Sequence, residues 1–201
     1  MCPEVFEIVK NMDLSNVETR LALHCAPVIM GIKISNLLSV SKEDEMLVER
    51  ILKGTKIDFC CLSKENNRVT YILFRNPEFE LYINNPYVQR NLIQYGYYDR
   101  SLETIFKILQ NKYKSCIKSG EIFPHELGLF LGYPTEDVEG FIKNKGENYL
   151  YAGYWKVYKD VEKKKLLFDA YESAKEGLLL LVAHGYSMRS IIEYVQDNFV
   201  Y

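Results

Sequence analysis

The sequence predicts an α+β fold: a mostly helical single domain, residues 1–201, around a small antiparallel sheet, with a helix-turn-helix-like corner. Three observations predict it. Apolar residues recur at helical spacing along most of the chain. Two β-rich runs flank one polar turn, and a third stands apart, downstream. Runs of helix around so few strands imply segregated α and β elements.

The elements follow in chain order. Val17, Leu21 and His24 mark a first helix, ended near Pro27, because proline disfavours helix at the residue before it. Ser41 with Asp44 resembles a capping box and starts a helix that carries Leu47, Val48, Ile51 and Leu52 on one face; Gly54 ends it. "KIDFCCL" and "VTYILFR" read as an antiparallel hairpin, Lys56–Leu62 against Val69–Arg75, around the polar turn "SKENNR". Leu102, Ile105, Phe106, Leu109, Tyr113, Cys116 and Ile117 form the clearest amphipathic helix, from near Asp99 to Gly120. "YAGYWKVY" is the third candidate strand. A long helix runs from about Asp160 to Ala183. The last, N-capped by Ser187, buries Met188, Ile191, Ile192, Val195 and Phe199.

Composition bounds the function. With 25 basic and 27 acidic residues among 201, the net charge of −2 gives no long-range attraction to phosphate backbones or anionic membranes. Sixteen tyrosines are the unusual feature, since this side chain suits wet interfaces and polar clefts. "MCPEVFEIVKNMD" lacks the basic-then-apolar pattern of a signal peptide, and the longest apolar run, Gly177 to Ala183, is too short to span a membrane. Five cysteines (Cys2, Cys25, Cys60, Cys61, Cys116) without framework spacing suit free thiols and a cytoplasmic location.

The stretch "FPHELGLFLGYPTEDVEGFIKNKG", residues 123–146, concentrates the functional questions. His125-Glu126 begins H-E-x-x-H, but Leu129 stands where the second zinc ligand belongs, so no metal site is expected. Glu126, Leu127, Leu131, Gly132, Val138 and Ile142 fall at helix-turn-helix positions, with Pro124 in the first turn, Gly132 at positive φ and Thr135 capping the second helix. That second helix opens with Glu136, Asp137 and Glu139, where base-reading residues would enter a groove, and no arginine lies between Arg100 and Arg189. No specific nucleic-acid binding is expected. His24 and Cys25 point about 100° apart on a helix and form no thiolate pair by themselves. Cys60 and Cys61 alternate on a strand, where packing explains them. His184, before Gly185, suits the free carbonyls of a helix end.

"FPHELGLFLGYPTEDVEGFI", "GYWKVY" and "LHCAPVIMGIKISNLLS" resemble blocks of an uncharacterised bacterial family of Firmicutes, domain of unknown function 3793. The resemblance spans nearly the whole chain. It implies an association with anaerobic iron and redox metabolism, and it selects His24, Cys25, Lys33, His125, Glu126, Tyr154, Trp155 and Lys156 as one ligand-binding set. The leading expectation is a cytoplasmic accessory protein that binds a small ligand, a cofactor or a redox partner; the sequence names no particular cofactor. A thiol- or histidine-dependent enzyme would use Cys25 as nucleophile, His125 as base and Glu126 to orient it. A DNA-associated regulator would use residues 124–143. The final expectation places His125 and Glu126 beside the His24–Cys25 block.

Overall fold

In the computed structural model, which describes residues 3–120 and 122–198, the chain divides into two compact units. One comprises Met1–Asn76 with Ala170–Tyr201, the other Pro77–Asp169. Cys2 and Phe199, both named above, lie outside the described residues.

In the first unit, helix α1 (Pro3–Lys10) precedes helix α2 (Val17–Ile29). The Asn16 side chain caps α2 by accepting from the Glu18 and Thr19 amides. This helix runs through Pro27 rather than ending before it. A helical proline costs about 3 kcal/mol, but Leu21, Ala22, Cys25, Ala26, Val28 and Ile29 are all fully buried, and that packing outweighs the lost hydrogen bond. Pro27 O accepts from the amides of both Ile32 and Lys33, turning the chain into strand β1 (Ser35–Ser41).

Strand β1 pairs antiparallel with β3 (Arg68–Arg75), and β3 pairs antiparallel with β2 (Ile57–Glu65), in the order β1-β3-β2. The expected hairpin is therefore present, and it is longer than expected. Its loop is only Asn66–Asn67, both at positive φ (52° and 57°), which matches the twist of the flanking strands. A bulge at Leu62, between Cys61 and Ser63, absorbs the register shift. The further strand of this sheet is the serine-rich β1, whereas residues 151–157 form a separate hairpin in the second unit. Ser41 Oγ donates to Asp44 Oδ2 (2.6 Å) across a 3₁₀ turn that leads into α3 (Glu45–Leu52). The final helix α10 (Met188–Asn198) adds Met188, Ile191, Ile192 and Val195 to the core of this unit.

The second unit holds α4 (Glu78–Ile83), α5 (Pro86–Gln94) and α6 (Leu102–Ser119). Ser101 caps α6, and Gly120 closes it at φ 64°. Then come α7 (Leu127–Phe130), α8 (Thr135–Lys143) and the two-residue strands β4 (Tyr151–Ala152) and β5 (Lys156–Val157). Helix α9 (Val161–Ala183) continues from this unit into the first. The corner between α7 and α8 departs from expectation in one detail: Pro134 holds the cap position and Thr135 is the first helical residue. Gly128 matters here, because a Cβ on it would stand 2.9 Å from Val138 Cγ2.

The hairpin loop offers a direct check. Asn67→Val places a β-branched residue at positive φ and should cost about 1–2 kcal/mol in urea denaturation, whereas Asn67→Gly should match or exceed the parent.

Candidate functional site

Before α7 the chain turns tightly through Pro124, His125 and Glu126. The amides of Leu127, Gly128 and Leu129 donate to the carbonyls of Pro124, His125 and Glu126 at 2.9–3.1 Å. Leu127, Leu129 and Phe130 are buried and anchor this turn. The Glu126 side chain makes no cap hydrogen bond. It turns inward instead, where Glu126 is only 5% exposed. Its Oε1 accepts from Lys112 Nζ at 2.7 Å and from Tyr97 Oη at 3.3 Å. Lys112 Nζ also donates to Tyr95 O (2.6 Å) and sits 4.7 Å from the centre of the Tyr97 ring. Burial and the Glu126 charge push the Tyr97 phenol upward, so it stays a donor. Among the described residues, Glu126 Oε2 has no protein partner.

That carboxylate opens onto a cleft of about 340 Å³. Tyr95, Ile122, Phe123, Pro124 and Ile142 make its surface mainly apolar, and Lys112, His125 and Glu126 supply the polar groups. His125 is exposed at the rim, its ring 5.7 Å from that of Phe123 and 5.0 Å from that of Phe141. Lys156 Nζ lies 5.8 Å from the centre of the Phe141 ring and 4.8 Å from that of Tyr149, and it donates to Gly146 O at 2.6 Å.

The other expected site residues of this unit have packing roles. Trp155 is buried. It stacks on Tyr133 (4.7 Å), meets Phe168 edge-on (4.5 Å) and donates from Nε1 to Asp137 Oδ2 at 2.8 Å. Tyr154 packs on Phe168 at 5.5 Å. The acidic start of α8 is likewise engaged. Asp137, 1% exposed, also accepts from the amides of Tyr158 and Lys159, and Glu136 accepts from Lys164 Nζ at 2.8 Å. A helix end covered in this way lends nothing to a groove-reading role.

His24, Cys25 and Lys33 belong to the first unit. The Cys25 thiol is fully buried, and burial pushes it up to about 12 against the opposing pull of Lys33. A protonated, enclosed thiol is a poor nucleophile. Burial also brings the Lys33 ammonium down to about 8. Its Nζ donates to Asn36 Oδ1, and Asn36 Nδ2 in turn donates to His24 O. Although His24 is exposed, local desolvation of its ring, then the charges of Arg20 and Lys175, lower its pKa. His184 Nδ1 stands 2.7 Å from Leu180 O, the helix-end role expected of it.

A family model described as "Protein of unknown function (DUF3793)" matches residues 21–192. The chain belongs to this family. No curated protein and no solved structure matches the chain. The match covers both compact units, the Glu126 cleft and the Cys25–Lys33 block alike. Among the described residues, no helix is long and apolar enough to cross a membrane, and no three His, Cys, Asp or Glu side chains group as metal ligands.

Sequence reasoning missed Lys112. The signal was present: Ile105, Leu109, Lys112 and Cys116 share one face of α6, so a lysine stands within an otherwise apolar stripe. Lys112→Met should leave the Glu126 carboxylate with the Tyr97 hydroxyl as its one protein donor and cost about 1–3 kcal/mol in chemical denaturation. The double variant Lys112→Met/Glu126→Leu should recover most of that loss.

Lys33 carries a second prediction. Its pKa lies lower in the folded chain (about 8) than its ordinary 10.5, so the unfolded chain binds more protons between those values. Stability relative to Lys33→Met should therefore rise with pH across that window, by on the order of 3 kcal/mol. A flat difference between the two pH–stability curves would contradict the buried placement.

Proposed function

We propose that this protein is a cytoplasmic accessory protein that binds a small ligand in the Glu126 cleft of its second unit. One observation carries the reading. A buried carboxylate, held by Lys112 and Tyr97, keeps one oxygen without a protein partner and faces an otherwise apolar concavity. That oxygen is open to the cleft, so a donor on a bound molecule can take the place of the water that otherwise reaches it. The occupant is a flat, mostly apolar molecule with one hydrogen-bond donor aimed at Glu126, and His125 meets its outer edge. The cleft volume fits the range of small-molecule sites. The cytoplasmic placement rests on the free thiols of Cys25, Cys60, Cys61 and Cys116. A thiol-enzyme role finds no support in the enclosed Cys25, and a DNA-binding role none in the covered start of α8.

Indole and 1-methylindole differ by the donor in question. Titrated into the full chain and followed by ligand-observed NMR, indole should bind at least about tenfold more tightly, because its N–H alone can reach Glu126. Ile142→Trp, which fills the cleft, should abolish binding without lowering the melting temperature. Equal affinities for the two indoles, or normal binding by the Ile142→Trp variant, would defeat the proposal. An absorbance spectrum of anaerobically purified protein checks whether a coloured cofactor is the natural occupant.

A further inference from the structure

A separate concavity of about 490 Å³ lies within the first unit, where Arg20 of α2 and Arg68 of β3 form part of its wall. Both guanidiniums converge on one residue. Arg20 donates from Nε and Nη2 to Ser39 O at 3.0 and 2.6 Å. Arg68 donates from Nη2 to the same oxygen at 3.1 Å and from Nε to Ser39 Oγ at 3.0 Å. Two positive charges thus share one neutral carbonyl, and like charges so close repel. Among the described residues, neither arginine makes a salt bridge.

Carboxylates line the same concavity without pairing with the arginines. Asp13 Oδ1 accepts from the amide and hydroxyl of Ser15 at 2.8 and 2.6 Å. Asp44 Oδ2 accepts from Ser41 Oγ at 2.6 Å. Each charge is tied to its own stretch of chain by a charge-assisted bond, which prevents the two signs from collapsing onto each other. Leu47, 38% exposed, adds an apolar surface to the same cleft. A positive pole, a separate negative pole and an apolar patch match the three parts of one kind of molecule.

We infer that this cleft binds a small zwitterion, a free amino acid with an apolar side chain. The Arg20–Arg68 pair takes the carboxylate, Asp13 and Asp44 take the ammonium, and Leu47 receives the side chain. A single phosphate or carboxylate would satisfy the arginines but would meet the acidic residues unfavourably.

The test uses L-leucine and two fragments of it, 4-methylpentanoate without the ammonium and 3-methylbutylamine without the carboxylate. Each is titrated into the ¹⁵N-labelled full chain. L-leucine should bind at least about tenfold more tightly than either fragment and shift the amides of Ser15, Arg20, Ser41, Leu47 and Arg68. Arg68→Ala, an exposed position, should weaken leucine and 4-methylpentanoate but not 3-methylbutylamine; Asp44→Asn should do the converse for the two fragments. The inference is overturned if leucine gains nothing over its fragments, if the shifts lie elsewhere, or if Arg68→Ala lowers the melting temperature while leaving affinity intact. That last result would reduce the arginine pair to a clamp on β1.

Discussion

The second unit depends on one buried carboxylate, Asp137. It sits in the first turn of α8, where the helix dipole favours negative charge. Its two oxygens accept from Trp155 Nε1 and from the amides of Tyr158 and Lys159, with Lys164 Nζ at 3.8 Å. Hydrogen bonds to a charged group contribute about 1.5–3 kcal/mol each. They therefore hold a hairpin whose own ladder is only two residue pairs long. Trp155, once fixed, fills the space between Tyr133 and Phe168. Close approach requires a bare backbone at Gly140, where a Cβ would meet Tyr158 at 2.5 Å, and at Gly153, where it would meet Phe168 at 2.4 Å. With α8 located, Phe141 stands beside His125, and Ile142 joins the wall of the cleft.

The parts of this arrangement that sequence could reveal are those with local signals. Ser101 and Gly120 bracket α6 because a cap and a left-handed glycine act within one turn of the helix. The β2–β3 hairpin was legible because β-rich runs flank a polar turn, although the polar "SKE" hid the true length of β2. Strand β1 had no comparable signal. Its serines alternate with Leu38 and Val40, and its pairing depends on β3, far along the chain. Pro27 misled for the opposite reason: local preference opposed the helix, and burial of both neighbours prevailed.

The candidate site was legible by residue type and less so by partnership. His125 and Glu126 stood out as polar groups on an apolar turn, and both line the second-unit cleft. Trp155 and Tyr154 were grouped with them for the same reason, yet their partners are Asp137 and Phe168. No spacing rule links Asp137 to a tryptophan 18 residues later; only the fold does. Lys33 and Cys25 show the reverse effect, since burial, which spacing could not show, keeps the Cys25 thiol protonated and brings the Lys33 ammonium down to about 8.

The contrast between Asp137 and Glu126 separates scaffold from site. Both are carboxylates of the same corner, eleven positions apart, and both are almost fully buried. Asp137 has protein partners on both oxygens and is enclosed, so it serves to join α8 to the hairpin. Glu126 places both its hydrogen bonds on Oε1. Had Oε2 faced protein, folding would have left a buried acceptor unmet at a cost of about 1–3 kcal/mol. Facing the cleft, it costs far less, because water or a ligand donor can reach it. Lys112 and Tyr97 hold the carboxylate in place through Oε1, as a preorganised acceptor requires. The same chemistry on two neighbouring elements thus yields a closed joint at Asp137 and an open acceptor at Glu126.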